Sequence, residues 1–454
     1  MRQVSGTSAH AVADQPAVRR RPAWLLSPYA LPLHALRIAG ACALPLIIWF
    51  SLGRVIRWGL LLLAATISHG EWYQARLVVV MFLFTLVVMA SLVTTIGMLY
   101  ILRGALMETQ ARRAAGEAHE SLLNALNRTA LVFCGIYLTW GFLAEDARDF
   151  MNIDLLRQPD RIFIDAFAGE ESTVMRGLIG LDLIVSAVTM AVAWVVKTLF
   201  ARRHEAGRGR FSGVIATCGE LAFVLYGLNA VTTVLGARSD WVGSRVVIVA
   251  WQEWMEKARE SIPGWKSVTD FIGEVWPYVV DALVLPLTWL TVGILVYGAY
   301  AEDTRTTIRG TPLERAAAPL ERRTHALTRR ALDRLTEGWT SRWIPLLHSL
   351  RLTMRGGAPL FGMFALCYVG LHIGGIYLER AGRYLLDTGE PYFWIFTSVP
   401  IEFVSELIVT TLSMCLIAAT FDLAATRDRL ARAQVSAGSA ARDRSSPETS
   451  PLPS

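Results

Sequence analysis

Between Arg76 and Arg103 run 26 residues without a charge. An α-helix rises about 1.5 Å per residue, so about 20 residues cover the ~30 Å of hydrocarbon in a bilayer. No water-soluble fold needs so long an uncharged run. In hydrocarbon every backbone N–H and C=O must be satisfied inside the protein, which leaves helices or closed barrels as spanning structures. The rest of the chain agrees: 53% of its residues are apolar and 18% are charged, against about 25% charged in soluble proteins. Further apolar stretches predict helices near 36–56, 77–101, 129–145, 177–200, 213–236, 277–300, 357–378 and 399–423. This is the pattern of an all-α, polytopic membrane helical bundle with about eight transmembrane helices. The first, third and fifth have short uncharged cores, so their flanking Arg or Glu side chains must snorkel to the interface.

The connections divide the chain further. Residues 1–22 and 425–454 are polar and aperiodic and read as disordered cytoplasmic tails. Residues 23–300 form a membrane domain of helices 1–6, and 357–424 carry helices 7 and 8. Between them, 301–356 holds eleven Arg, with Leu313, Leu320 and Leu327 seven residues apart. That pattern predicts an amphipathic cytoplasmic loop resting on anionic lipids of the inner leaflet, or a solvated helical hairpin. On the other side, Trp251, Trp254, Met255, Ala258 and Ile262 form an apolar stripe before Trp265 and Trp276, expected at the outer headgroups.

Charge sets the orientation. Arg202, Arg203, Arg208 and Arg210 crowd one short loop, whereas the 146–175 loop carries Asp146, Asp149, Asp154, Asp160, Asp165, Glu170 and Glu171. By the positive-inside rule both termini are cytoplasmic. Arg outnumbers Lys 41 to 3, a bias that fits a high-GC bacterial genome. The expected location is therefore a bacterial inner membrane. The five cysteines fall inside apolar segments with no ligand spacing and read as small apolar filler.

Returning helices share a spacing. Asp182 precedes Thr189, Asp281 precedes Thr288 and Glu406 precedes Ser413, each by seven residues, or about two turns. This suggests four repeated hairpins; chance spacing of common residues is the competing reading.

Carboxylates inside a spanning helix cost about 2.5–3.5 kcal/mol each at mid-membrane and usually face the bundle interior. Asp182, Asp281, Glu402 and Glu406 fall in outer helix halves, and His372 lies at similar depth. They are the candidate lining of an outward-open polar vestibule that binds a cation or relays protons. Alternatively each acid snorkels or pairs with a nearby Arg. Pro286 should kink its helix. The run Gly370-Leu371-His372-Ile373-Gly374-Gly375 should allow close helix contact. A second set, Glu145, Asp146 and Asp149, lies near an outer helix end, where a membrane enzyme of lipid or cell-envelope metabolism would need its acids.

No GxxxxGK[ST], HExxH, GxSxG or dinucleotide motif is present. No cofactor, metal or nucleic acid is implied, and self-association into a homo-oligomer is left open. Three classes remain: a small-solute or ion transporter or channel-like protein, favoured; a membrane-embedded enzyme; and a scaffold recruiting partners through 301–356. The map as a whole rests on its orientation. A reporter inserted near Arg322 should score cytoplasmic, and an exterior score would invert every assignment of sides.

Overall fold

In the computed structural model, the described residues are 27–68, 72–114, 121–157, 182–207, 209, 211–237, 265–297, 357–386 and 391–445. Among them every regular element is helical. We number the helices α1 (Leu31–Ile67), α2 (Tyr73–Leu102), α3 (Met107–Ala114), α4 (Leu122–Thr139), α5 (Phe142–Arg157), α6 (Leu183–Glu205) and α7 (Ser212–Ala237). There follow α8 (Trp265–Val279), a π-turn at Val280–Val284 that joins it to α9 (Leu285–Tyr297), α10 (Ala358–Leu386) and α11 (Pro391–Ser445). Eight helical stretches are long and apolar enough to cross a membrane, as the hydropathy predicts. The chain has the architecture of a multi-pass membrane protein. Large apolar side chains such as Leu44, Ile48, Val188, Val192 and Leu366 point away from the bundle. In water such a surface would aggregate; in a bilayer it is solvated by lipid.

Several boundaries differ from the sequence reading, each for a local reason. The third span ends at Thr139 instead of 145, because Gly141 adopts φ +77°, a left-handed conformation that stops the helix. At its other end Ser121 caps α4 by accepting a hydrogen bond from Asn124 N at 3.3 Å, so the helix starts before Arg128 rather than after it. Asp182 is not inside the fourth span but at its N-cap, exposed to solvent. The first helix runs on past Arg54 and Arg57 to Ile67. The last continues to Ser445 through residues expected to be a disordered tail. Its Ala, Arg and Leu have high helix propensity although they lack the hydropathy of a span. The Arg-rich 301–356 segment, the 251–262 stripe and residues 1–22 lie outside the described residues.

The kink expected at Pro286 takes the form of the π-turn just before it. Pro286 cannot donate to a carbonyl four residues back, and the Leu285 N–H bonds instead to the Val280 carbonyl, five residues back. Packing does not follow four consecutive hairpins. The spans α1 and α2 lie together, as do α6 and α7, and α10 and α11, while α4 packs on α2, α7 and α9.

Two contacts hold the end of the bundle where α1 begins. Asp422, near the inner end of the last span, is fully buried. It lies 3.0 Å from His34 Nε2 and accepts hydrogen bonds from the Met107 and Glu108 N–H groups at 3.0 and 2.7 Å. A carboxylate is the expected partner for the unsatisfied N–H groups and positive dipole end of α3. Nearby, the Arg103 and Arg128 guanidinium groups donate to the Val296 and Leu295 backbone carbonyls of α9.

The α6–α7 pair depends on Gly219. A Cβ there would lie 3.0 Å from Lys197 N and 3.2 Å from the Ala193 carbonyl oxygen, both backbone atoms. Beside it Lys197 pairs with Glu220 at 2.8 Å, so a close backbone approach and a partly buried ion pair share one turn. Gly219→Val should cost about 1–3 kcal/mol through overpacking, read as a lower unfolding temperature in detergent. Gly135→Val, where a Cβ meets nothing within 4 Å, should leave that temperature nearly unchanged; equal effects would remove the packing argument.

Candidate functional site

The site begins with two arginines three residues apart on α1. Arg54 and Arg57 lie on one helix face, flanked by the uncharged stretches 38–53 and 58–67. A guanidinium stays charged at any physiological pH, so in this setting it needs carboxylates. Both arginines find two. Arg54 donates from Nη1 to Glu406 Oε1 at 3.1 Å and sets Nη2 2.9 Å from Oε2, an ion pair with one hydrogen bond. Glu402, one turn away on α11, lies 3.6 Å from the same Nη2. Arg57 donates to Asp146 from Nε at 2.7 Å and to Asp149 from Nη2 at 2.7 Å. The Tyr137 hydroxyl, on α4, completes the set by donating to Asp146.

These pairs border a cavity of about 720 Å³. From α1 come Phe50, Gly53 and the arginines; α2 gives Ser91, Thr94, Thr95 and Met98; α4 gives Phe133 and Tyr137. The α5 helix contributes Phe142, Glu145, Asp146, Arg148, Asp149 and Asn152. Trp289 comes from α9, and α10 supplies Tyr368, His372, Gly375, Ile376 and Glu379. Along α11 the lining runs from Glu402 and Ser405 to Ser413 and Met414. Those positions on α11 span about 18 Å of helix. At one end Glu402 and Asp149 are 56% and 39% exposed. At the other, Met98, Phe133, Trp289 and Met414 are buried, and they form an apolar floor. The cavity is a one-ended vestibule.

The two acid sets of the sequence reading therefore partly merge. Glu402, Glu406 and His372 line the cavity, and so do Glu145, Asp146 and Asp149. Asp182 and Asp281 do not; Asp182 is exposed at the N-terminal boundary of α6, without a side-chain capping hydrogen bond, and Asp281 sits exposed on the π-turn. The prediction that an acid pairs with a nearby Arg holds for Glu402 and Glu406. His372 stacks on Tyr368, ring centroids 4.3 Å apart, with Nδ1 3.0 Å from the Tyr368 carbonyl oxygen. Of the nearby glycines, Gly375 alone serves helix contact: a Cβ there would meet Val409, and its carbonyl accepts from Ser405 at 3.0 Å. Gly370 and Gly374 face open space.

Arg54, Arg57 and Tyr137 were not singled out from the sequence. The signal was present: two arginines three apart between two apolar stretches can only be one long helix with its charges turned inward. On α5, outside the spans, burial pushes the Asp146 carboxyl above the ordinary carboxylate range, while Arg57 and the Tyr137 hydroxyl draw it down only in part. Among the described residues no group of His, Cys, Asp and Glu is arranged to hold a metal ion. The five cysteines are free thiols.

Compared with known proteins, the chain matches no family model, no curated protein and no solved structure. What the cavity does has to be read from its own geometry.

The Arg57 pair can be weighed directly. Asp146 is 1% exposed and Arg57 15%. Arg57→Met strands a buried acid and should cost about 3–5 kcal/mol, measured by denaturant unfolding in micelles. Adding Asp146→Asn should return most of that loss. A single and a double variant of equal stability would mean that the pair carries no coupling.

Proposed function

We propose that this chain is a multi-pass protein of a bacterial inner membrane, both termini cytoplasmic, that moves a small solute through the cavity between α1, α2, α4, α5, α9, α10 and α11. One observation carries this: a polar, charge-lined vestibule of about 720 Å³ with a wide mouth and an apolar floor. Transport needs a site within the membrane's depth, reachable from one face and sealed from the other. With the termini inside, the mouth opens outward. The floor of Met98, Phe133, Trp289 and Met414 is then the closed gate. Small hydroxyls on α2 support the reading. Thr94 and Thr95 donate to the Ala90 and Ser91 carbonyls at 2.8 and 2.9 Å. Polar groups thus reach the cavity from an otherwise apolar helix at no cost in unpaired donors.

The 301–356 segment is proposed to rest on anionic inner-leaflet lipids, and a homo-oligomer is compatible with this arrangement. The second reading, a membrane-embedded enzyme, draws on Asp146, a buried acid that shares the cavity with Glu145 and Asp149.

Access separates the two. In a background without the five native cysteines, Thr410→Cys should react with a membrane-impermeant maleimide added outside. Under conditions that drive transport it should also become reactive from the cytoplasmic face. Reactivity confined to one face under every condition would leave an enzyme or a static receptor and remove transport.

A further inference from the structure

The charge balance of the cavity selects among solutes. Each arginine neutralises one carboxylate and has two: Arg54 with Glu402 and Glu406, Arg57 with Asp146 and Asp149. Glu145 and Arg148 offset one another on the rim, and Glu379 is bound by Arg383. An excess negative charge remains in each arginine cluster. The excess lies toward the half-exposed mouth, on Glu402 and Asp149, where a negative potential attracts cations and repels anions, so the cavity favours a cation over an anion. The guanidinium forks that would bind an anion are already occupied by carboxylates.

The aromatic lining adds a second selection. Four rings that border the cavity form a closed circuit of contacts. Phe133 meets Tyr137 at 5.6 Å between centroids, Tyr137 meets Phe142 at 5.7 Å, Phe142 meets Trp289 at 6.3 Å, and Trp289 meets Phe133 at 6.0 Å. Aromatic faces attract organic cations within about 6 Å of a ring centroid, Trp most strongly. A small inorganic ion would instead need an oxygen cage, and a volume of about 720 Å³ is far larger than one. Near the floor the Ser413 Oγ is buried without a hydrogen-bond partner, on a side chain only 4% exposed, so the inner end also holds one polar group ready for a ligand.

We propose that the cavity takes a small organic cation of the substituted-ammonium type, its charge held by the Glu402–Glu406 and Asp146–Asp149 excess and its apolar body against the aromatic circuit. This rests on the cavity being a solute site, as proposed above, and names its substrate class.

The test uses the full chain in lipid nanodiscs and three probes of similar shape: benzyltrimethylammonium, the anion phenylmethanesulfonate and the zwitterion phenylalanine. Equilibrium dialysis should show saturable benzyltrimethylammonium binding that Thr410→Trp abolishes by filling the cavity. Glu406→Gln should weaken it about tenfold or more, the equivalent of ~1.4 kcal/mol. Glu402→Gln, at a half-exposed position, replaces that variant if Glu406→Gln does not fold. Trp289→Leu should weaken the cation without admitting the anion. Binding of the sulfonate or of phenylalanine alone, still blocked by Thr410→Trp, would overturn the cation assignment and keep the solute site. Displacement of benzyltrimethylammonium by an equal concentration of potassium would overturn the organic selectivity. If none of the probes shows binding that Thr410→Trp abolishes, both this inference and the solute site fall.

Discussion

A guanidinium in a low-dielectric setting cannot shed its proton, and everything around the cavity follows from that. Two arginines on α1 oblige the chain to bring carboxylates to them. Glu402 and Glu406 arrive on α11, and Asp146 and Asp149 on α5. The pairs therefore fix where the last span sits against the first, and where α5 folds back after the third. Tyr137 ties α4 into the same set through Asp146. Four helices converge on two charges, and together with α2, α9 and α10 they enclose the cavity.

The opposite end is organised by the same rule with different partners. Twenty residues separate His34 from Arg54 on α1, and sixteen separate Glu406 from Asp422 on α11. At helical rise these are about 30 and 24 Å, close to the hydrocarbon thickness. The two helices run antiparallel and meet through polar contacts at both levels, His34–Asp422 and Arg54–Glu406. Between the two levels the core is apolar, with Leu46, Leu92, Ile96, Leu99 and Ile417 almost fully buried. Dispersion holds that middle section together, since lipid offers apolar helices no hydrophobic reason to associate. Polar contacts at the two levels and close packing between them give one relative placement of α1 and α11.

The site inherits its asymmetry from that arrangement. Above the apolar floor the lining is charged and partly hydrated; below it Asp422 is consumed in capping α3 and contacting His34. A buried acid can thus serve structure or remain available to a ligand, according to how many donors surround it. Asp422 has two backbone N–H groups and a histidine. Each cavity arginine, by contrast, is shared between two acids, which leaves charge to spare.

From the sequence alone, the spans and their number are legible. Hydropathy answers to the thickness of the bilayer, which is the same for any helix. The helix ends were not all legible: a single left-handed glycine at 141 and good propensity beyond Asp422 moved them. Nor could sequence separate Asp182 and Asp281, exposed at a cap and a π-turn, from Glu406, which has the same seven-residue spacing to a hydroxyl. Spacing reports which side of a helix a residue occupies, but the neighbour on that side depends on how the helices pack. The joining of Arg54 to Glu406, of Arg57 to Asp146, and of Phe133 and Phe142 to the distant Trp289 was decided only in three dimensions. Those contacts link residues up to 352 positions apart, and no local pattern encodes a partner so far along the chain.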